Sequence, residues 1–218
     1  MWHLTSQKTG MSALGLQRIL GLGSYESAWA CLHKLRRAMV RPDRDRLTGV
    51  IEVDETVIGG RRKGQGFFKD KNKTWVGVAV EVRGKGSGRV RFAILPDVYS
   101  PTIRNFVQSV AEPGSTIVSD GRGGYKFLSE LGYQTSRHPL YRKDREEIDR
   151  VLPRVHRVAS LLKRWILGIH HGSVSRQHLA AYLNEFSFRF NRRGSPTRGM
   201  LFYRLAKQAV SISLKDSS

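Results

Sequence analysis

The sequence predicts an α/β fold: a mixed sheet flanked by helices, preceded by a short all-helical segment. Three observations carry that expectation. Apolar residues recur at helical spacing over residues 12–40, switch to β-rich runs from Val50, and return to helical spacing from about residue 154. The chain has 218 residues, 39% of them hydrophobic, enough for one core-forming domain with a small appendage. Its 38 Lys and Arg face 18 Asp and Glu, a formal charge of +20. Such a surface repels itself unless a polyanion meets it, and nucleic acid is the leading candidate. A ribosome-associated protein would satisfy the same arithmetic. No apolar run approaches the roughly 18 to 20 residues needed to span a bilayer, and the start Met1-Trp2-His3-Leu4-Thr5-Ser6 lacks the pattern of a signal peptide. Cys31 is the single cysteine, which excludes an internal disulfide and a Cys-based zinc site. A soluble, cytoplasmic protein is expected.

The elements follow in order. Ala13 to Leu20 reads as a helix, broken at Gly21-Leu22-Gly23, and Ser24 is placed to cap a second helix. Ala28, Cys31, Leu32 and Leu35 form the apolar stripe of that helix, and Lys34, Arg36, Arg37 and Arg41 crowd its end. A helix, a short glycine turn and a basic helix outline a helix-turn-helix, although an ordinary helical hairpin shares the pattern. Pro42 to Arg46 reads as a linker. Val50–Asp54, Trp75–Val82 and Val90–Leu95 are strands, with a long basic connection at 59–73 and a hairpin turn at Arg83–Gly88. Ser100-Pro101 opens a helix carrying Ile103, Phe106, Val107 and Val110 inward. Thr116–Asp120 is a strand, followed by a short helix near 123–131 and a strand around Tyr133–Ser136. Residues 154–168, 175–192 and 198–210 are expected to be helical. In the second of these, Leu179, Tyr182, Leu183, Phe186 and Phe190 belong to the core. This order is the one an RNase H-like core uses, and order alone also fits other α/β folds. The divisions expected are a helix-turn-helix-like segment over 1–46, an RNase H-like domain over 47–193, and a C-terminal helix and tail over 194–218.

Asp54 and Asp120 each end a strand, where α/β proteins gather functional groups. They are either two solvated carboxylates or a pair that holds divalent metal for phosphoryl transfer. Acids are scarce on this basic chain, which favours the second reading. His156 and Lys163 stand seven residues apart, about 20° apart on one helix face and roughly 10.5 Å along its axis. One could reach a metal while the other meets a phosphate; a solvated amphipathic helix with a border histidine fits the spacing equally well. His170, His171 and His178 have no cysteines, regular spacing or supporting carboxylate and read as surface residues.

Several ordered motifs resemble one family. Val53-Asp54-Glu55-Thr56 followed by Ile58-Gly59-Gly60-Arg61-Arg62, Ser119-Asp120-Gly121 running to Gly124-Tyr125, Val155-His156-Arg157 running to Lys163-Arg164, and Asn184-Glu185-Phe186 running to Asn191-Arg192-Arg193 are similar to ISXO2-like insertion-sequence transposases (insertion-sequence family fifteen-ninety-five) of the DDE type. The likeness runs from about Thr5 to about Val210. It implies an RNase H-like catalytic core that cuts element ends and joins them to target DNA with Mg²⁺ or Mn²⁺ in a two-metal site. Asp54 and Asp120 match the first two family acids. His156 stands where the family usually has Glu or Asn, with Lys163 in the lysine place. Glu146, Glu147 or Asp149 is the alternative third ligand.

The expected partner is double-stranded DNA, both terminal inverted repeats and target, bound by a homo-oligomer associated with the nucleoid. The DNA-binding residues expected are Lys34, Arg36, Arg37, Arg61, Arg62, Lys63, Lys163, Arg164, Arg192 and Arg193. Relatives often carry a Cys-rich zinc ribbon ahead of the helix-turn-helix, and the lone Cys31 predicts its absence here. The competing functions are an RNase H-like nuclease that never joins strands and a catalytically degenerate DNA-binding protein.

Overall fold

The computed structural model describes residues 1–7, 9–41, 44–59, 73–121, 123–138, 150–170 and 174–215. Five strands form one mixed sheet: β1 (Val50–Ile58), β2 (Thr74–Arg83), β3 (Gly86–Leu95), β4 (Thr116–Ser119) and β5 (Gln134–Arg137). Their order is β3-β2-β1-β4-β5. β1, β2 and β3 pair antiparallel in chain order, while β4 adds parallel to β1 and β5 parallel to β4.

Helices cover both faces. α4 (Ser100–Val110) packs Ile103, Phe106, Val107 and Val110 against Ile51, Val53, Ala79 and Ile117. Gly77 on β2 makes room for it, because a Cβ there would stand 2.7 Å from the Phe106 ring. On the other face, α5 (Pro153–His170) sets Val155, Val158, Leu162 and Ile166 on Val76, Val78 and Val80. α6 (Arg176–Asn191) joins that core through Leu179, Leu183 and Phe186 and lies along β3. Its last residue closes the sheet edge: Val90 donates its N–H to Asn191 Oδ1 at 2.7 Å, and Asn191 Nδ2 donates to the Val90 carbonyl at 3.2 Å. The side-chain amide thus satisfies backbone groups that an edge strand would leave open.

Three helices precede the sheet: α1 (Trp2–Ser6), α2 (Ala13–Leu20) and α3 (Tyr25–Ala38). Ser24 caps α3 as expected, accepting from the Ser27 N–H at 3.2 Å. Leu4, Leu16, Leu32 and Leu35 form a third core with Phe188 of α6 and Leu205 of α7 (Arg198–Lys215). Cys31 is exposed, so the apolar stripe is Ala28, Leu32 and Leu35 without it. His33 stacks on Trp29 with centroids 3.9 Å apart and meets Tyr182 of α6 edge-on at 5.7 Å. Burial and the nearby Arg36 lower its pKa to about 4, so it is neutral there. His178 packs edge-on to Trp29 in the same cluster.

The charged centre of this junction is buried. Arg36 Nε lies 2.7 Å from Glu185 Oε2, with side-chain exposures of 2% and 0%. Arg189 completes the set, giving Nε to Glu185 at 2.9 Å and its terminal nitrogens to the carbonyls of Leu4 and Gln7, each at 2.7 Å. Those carbonyls belong to the end of α1, a helix that no local sequence pattern predicts. A helix of five residues with no side-chain cap is unstable alone; here an arginine from α6 takes up its last acceptors. Two further differences concern local structure. The helix expected near 123–131 is two separate 3₁₀ turns, Gly123–Tyr125 and Ser129–Leu131, because Gly123, Gly124 and Gly132 disfavour a continuous helix. Arg36, expected on a DNA-facing surface, is an interior residue because Glu185 holds it. Among the described residues no helix is long and apolar enough to cross a membrane.

Removing one partner of a buried pair leaves the other charge uncompensated. Glu185→Ala is therefore expected to cost about 3–5 kcal/mol in urea unfolding, against less than about 0.5 kcal/mol for the exposed Lys34→Ala.

Candidate active site

The site is built on β1, which stays paired with β2 through Ile58, so Asp54 lies mid-strand and not at the strand end the sequence predicts. Alternation along the strand sends Glu52 and Asp54 to the face covered by α5 and Val53 to the α4 side. Glu52 is 2% exposed yet well provided with donors. Its Oε2 accepts the N–H of Arg154 at 2.7 Å and of Val155 at 2.9 Å, and its Oε1 accepts Arg154 Nη1 at 2.9 Å. The first N–H groups of a helix have no partner within it, and a carboxylate at that end also meets the positive pole of the helix dipole. Arg154 further gives Nε to Gly86 O at 2.9 Å and Nη2 to Gly84 O at 2.6 Å, tying the helix start to the β2–β3 turn.

That anchor decides where His156 goes. Its Nε2 stands 3.3 Å from Asp54 Oδ2, and each side chain is 22% exposed. Two turns further along, Lys163 feels the same carboxylate: burial lowers its pKa and Asp54 partly offsets that. The strand pairing brings in the second acid. Val50 pairs with Thr116, Ile51 with Ile117 and Glu52 with Val118, a constant offset of 66; carried two residues beyond the last pair, it sets Asp120, just past the end of β4, level with Asp54. Neighbouring strands run about 4.8 Å apart. Asp120 is 8% exposed, and the left-handed Gly121 (φ +76°) turns the chain away immediately after it.

Tyr125 closes the α4 side. The buried phenol donates to Glu55 Oε1. Burial first, then Glu55, Asp54 and Asp120 push its pKa well above the usual tyrosine value, so it remains a neutral donor among the acids. Ser119 Oγ, at the end of β4, is buried with no hydrogen-bond partner.

Of the residues expected from sequence, Asp54, His156 and Lys163 share one neighbourhood, and Asp120 is level with Asp54. Among the described residues, no group of three His, Cys, Asp or Glu side chains stands ready to close around one ion. Two carboxylates and an imidazole are nevertheless a donor set that suits a divalent cation, because Mg²⁺ sites commonly use one or two carboxylates and complete their shell with water and phosphate oxygens. Glu146, Glu147 and Asp149 lie outside the described residues, as do Arg61, Arg62 and Lys63. Lys34, Arg37, Lys163 and Arg164 are exposed. Arg192 and Arg193 stack on Phe188 and Phe190 at 4.1 and 4.0 Å from the ring centroids, and each also donates to backbone carbonyls. Sequence reasoning missed Glu52, Glu55 and Tyr125. A signal existed for the first two: Glu52, Asp54 and Glu55 cluster on one apolar strand of an acid-poor chain.

Fold and cluster together define an α/β protein whose sheet carries an acid pair beneath a basic helix. Residues 46–191, well over half the chain, match the family model for the ISXO2-like transposase domain, and the chain belongs to that family. No curated protein matches it.

Glu52→Gln keeps the shape but loses the charge, and whichever way the amide lies its N–H₂ faces a donor, either Arg154 Nη1 or the two helix N–H groups. It is expected to cost roughly 1–3 kcal/mol in urea unfolding, whereas Glu130→Gln at an exposed position stays within about 0.5 kcal/mol.

Proposed function

We propose that this transposase-family chain is a DDE-type enzyme that cuts the strand at the ends of an insertion sequence and joins the freed 3′-hydroxyl to target DNA in an RNase H-like core. The sheet order β3-β2-β1-β4-β5, with three antiparallel strands and two parallel additions, is compatible with that core. The observation that supports the reading best is the level pair Asp54 and Asp120, with His156 against Asp54 and Lys163 within its electrostatic reach.

In this reading Asp54 and Asp120 hold Mg²⁺ or Mn²⁺, and His156 is the third ligand. When bound, the ions make water a stronger nucleophile and neutralise charge that builds on the phosphate oxygens. The chain's own groups do the rest. Asp54 on β1 and Asp120 just after β4 set where the scissile phosphate lies. Lys163 places an ammonium against a phosphate oxygen and aligns it for in-line attack. Glu52 positions both helix residues without touching DNA. Tyr125 keeps Glu55 hydrogen-bonded and away from the phosphate. Exposed Lys34, Arg37 and Arg164 neutralise flanking backbone charge, and the duplex binds to a homo-oligomer of the chain.

Strand-cleavage and strand-transfer assays on element-end DNA test this. Asp54→Asn and Asp120→Asn are each expected to lower both reactions by about 10³-fold, on the order of 4 kcal/mol; undiminished joining would reject the assignment. Because imidazole suits Mn²⁺ better than Mg²⁺, wild type is expected to work better with Mn²⁺, and His156→Glu to shift the preference toward Mg²⁺.

A further inference from the structure

A cavity of about 220 Å³ lies between the segment after α3, strand β3 and helices α6 and α7, and its lining includes none of Asp54, Asp120, His156 and Lys163. Arg41, Arg44, Arg89, Arg91, Arg192 and Arg204 line it, with Asp45 the one acid among the lining residues. Arg89 is neutralised by Glu81 through Nε bonds of 3.0 Å to both carboxylate oxygens. Asp45 reaches Arg41 at 3.8 Å and Arg89 at 4.0 Å, both loose contacts. Arg44, Arg91, Arg192 and Arg204 have no ion pair with a carboxylate among the described residues.

These guanidiniums act on one another. Burial and then Arg44 and Arg89 lower the pKa of Arg91 to about 10, and burial with Arg204 and Arg41 does the same for Arg192. Both remain charged at neutral pH, so the repulsion persists in the folded protein. Arg192 Nε is buried with no acceptor, which is costly for a charged donor. Arg91 uses two of its nitrogens on the carbonyls of Val90 and Asp45, and these orient the fork. An anion with several oxygens would relieve the repulsion and accept the idle donors, and planar guanidinium forks match phosphate in both charge and geometry.

We propose that this cavity is a second phosphate site, holding a phosphodiester of a DNA strand through Arg44, Arg91, Arg192 and Arg204, apart from the carboxylates of β1 and β4. The strand as source rests on the DNA reading given above; the phosphate chemistry does not. A free polyphosphate shares that chemistry, and the experiment separates the two.

The probe is inorganic pyrophosphate, read by thermal unfolding of the full chain. At about 100-fold excess over its dissociation constant it is expected to raise the Tm of wild type by about 5 °C. Arg44→Gln with Arg204→Gln should abolish that rise. Arg18→Gln with Lys85→Gln, which removes equal charge elsewhere, should preserve it. An equal rise in both double variants would overturn the site. Adding a 20-base-pair duplex should displace bound pyrophosphate from wild type, and a duplex that binds while leaving pyrophosphate in place would overturn the strand as its source. None of these readouts needs strand cutting, so their failure is distinguishable from failure of the transposase assays.

Discussion

The hydrogen bonds from the first turn of α5 to the buried carboxylate of Glu52 set the geometry of everything around the acid pair. Glu52 sits two residues before Asp54 on the same face of β1, so the helix start it captures is held a fixed distance from Asp54. His156 follows two residues after the captured Arg154 N–H, and Lys163 two turns later on the same side. One interaction thus converts a separation of about a hundred residues into contact. It also explains why a full negative charge lies in a sheet interior. There it meets a guanidinium and two helix N–H groups, each a favourable partner for a carboxylate.

The charge excess looks different once its members are placed. Four of the 38 basic residues are structural ties. Arg36 and Arg189 enclose Glu185, Arg89 holds Glu81, and Arg154 holds Glu52. These acids are spent inside, each binding two elements together. Asp54 and Asp120 differ: Asp54 lies mid-strand on β1 at 22% side-chain exposure within reach of Lys163, and Asp120 follows the end of β4 at 8% exposure. The distribution separates two uses of the scarce acids, internal ties and a pair facing α5 and the β4 end, within one chain of net charge +20.

What could be read without coordinates was whatever depends on local periodicity. The strands at Val50, Trp75 and Val90, the Pro101 helix start and the Ser24 cap all rest on neighbours a few positions away, and they stand within a few residues of where their patterns place them. The pairing of Asp54 with Asp120 was legible only as a separation of 66. It acquired meaning when β1 and β4 proved to pair in parallel at that same offset. What stayed hidden depends on distant partners. α1 is held by Arg189, 185 positions from Leu4, and nothing near Trp2–Ser6 announces it. Arg36 has the same local surroundings as Arg37, yet helix phase turns one toward Glu185 and the other to solvent. The run Asn184 to Arg193 looked basic and aromatic. Its glutamate, asparagine and arginines chiefly bind together α1, α3 and the edge of β3.

The proposed chemistry requires Asp54, Asp120 and His156 to form one cation site. Paramagnetic relaxation tests it most directly, with Mn²⁺ added to full-length protein and the histidine imidazole resonances followed by NMR. The account predicts that sub-stoichiometric Mn²⁺ broadens the His156 signals first, and that Asp54→Asn with Asp120→Asn removes this selectivity. Selective broadening that persists in the double variant, or His156 signals no more affected than those of His33 and His178, would contradict it.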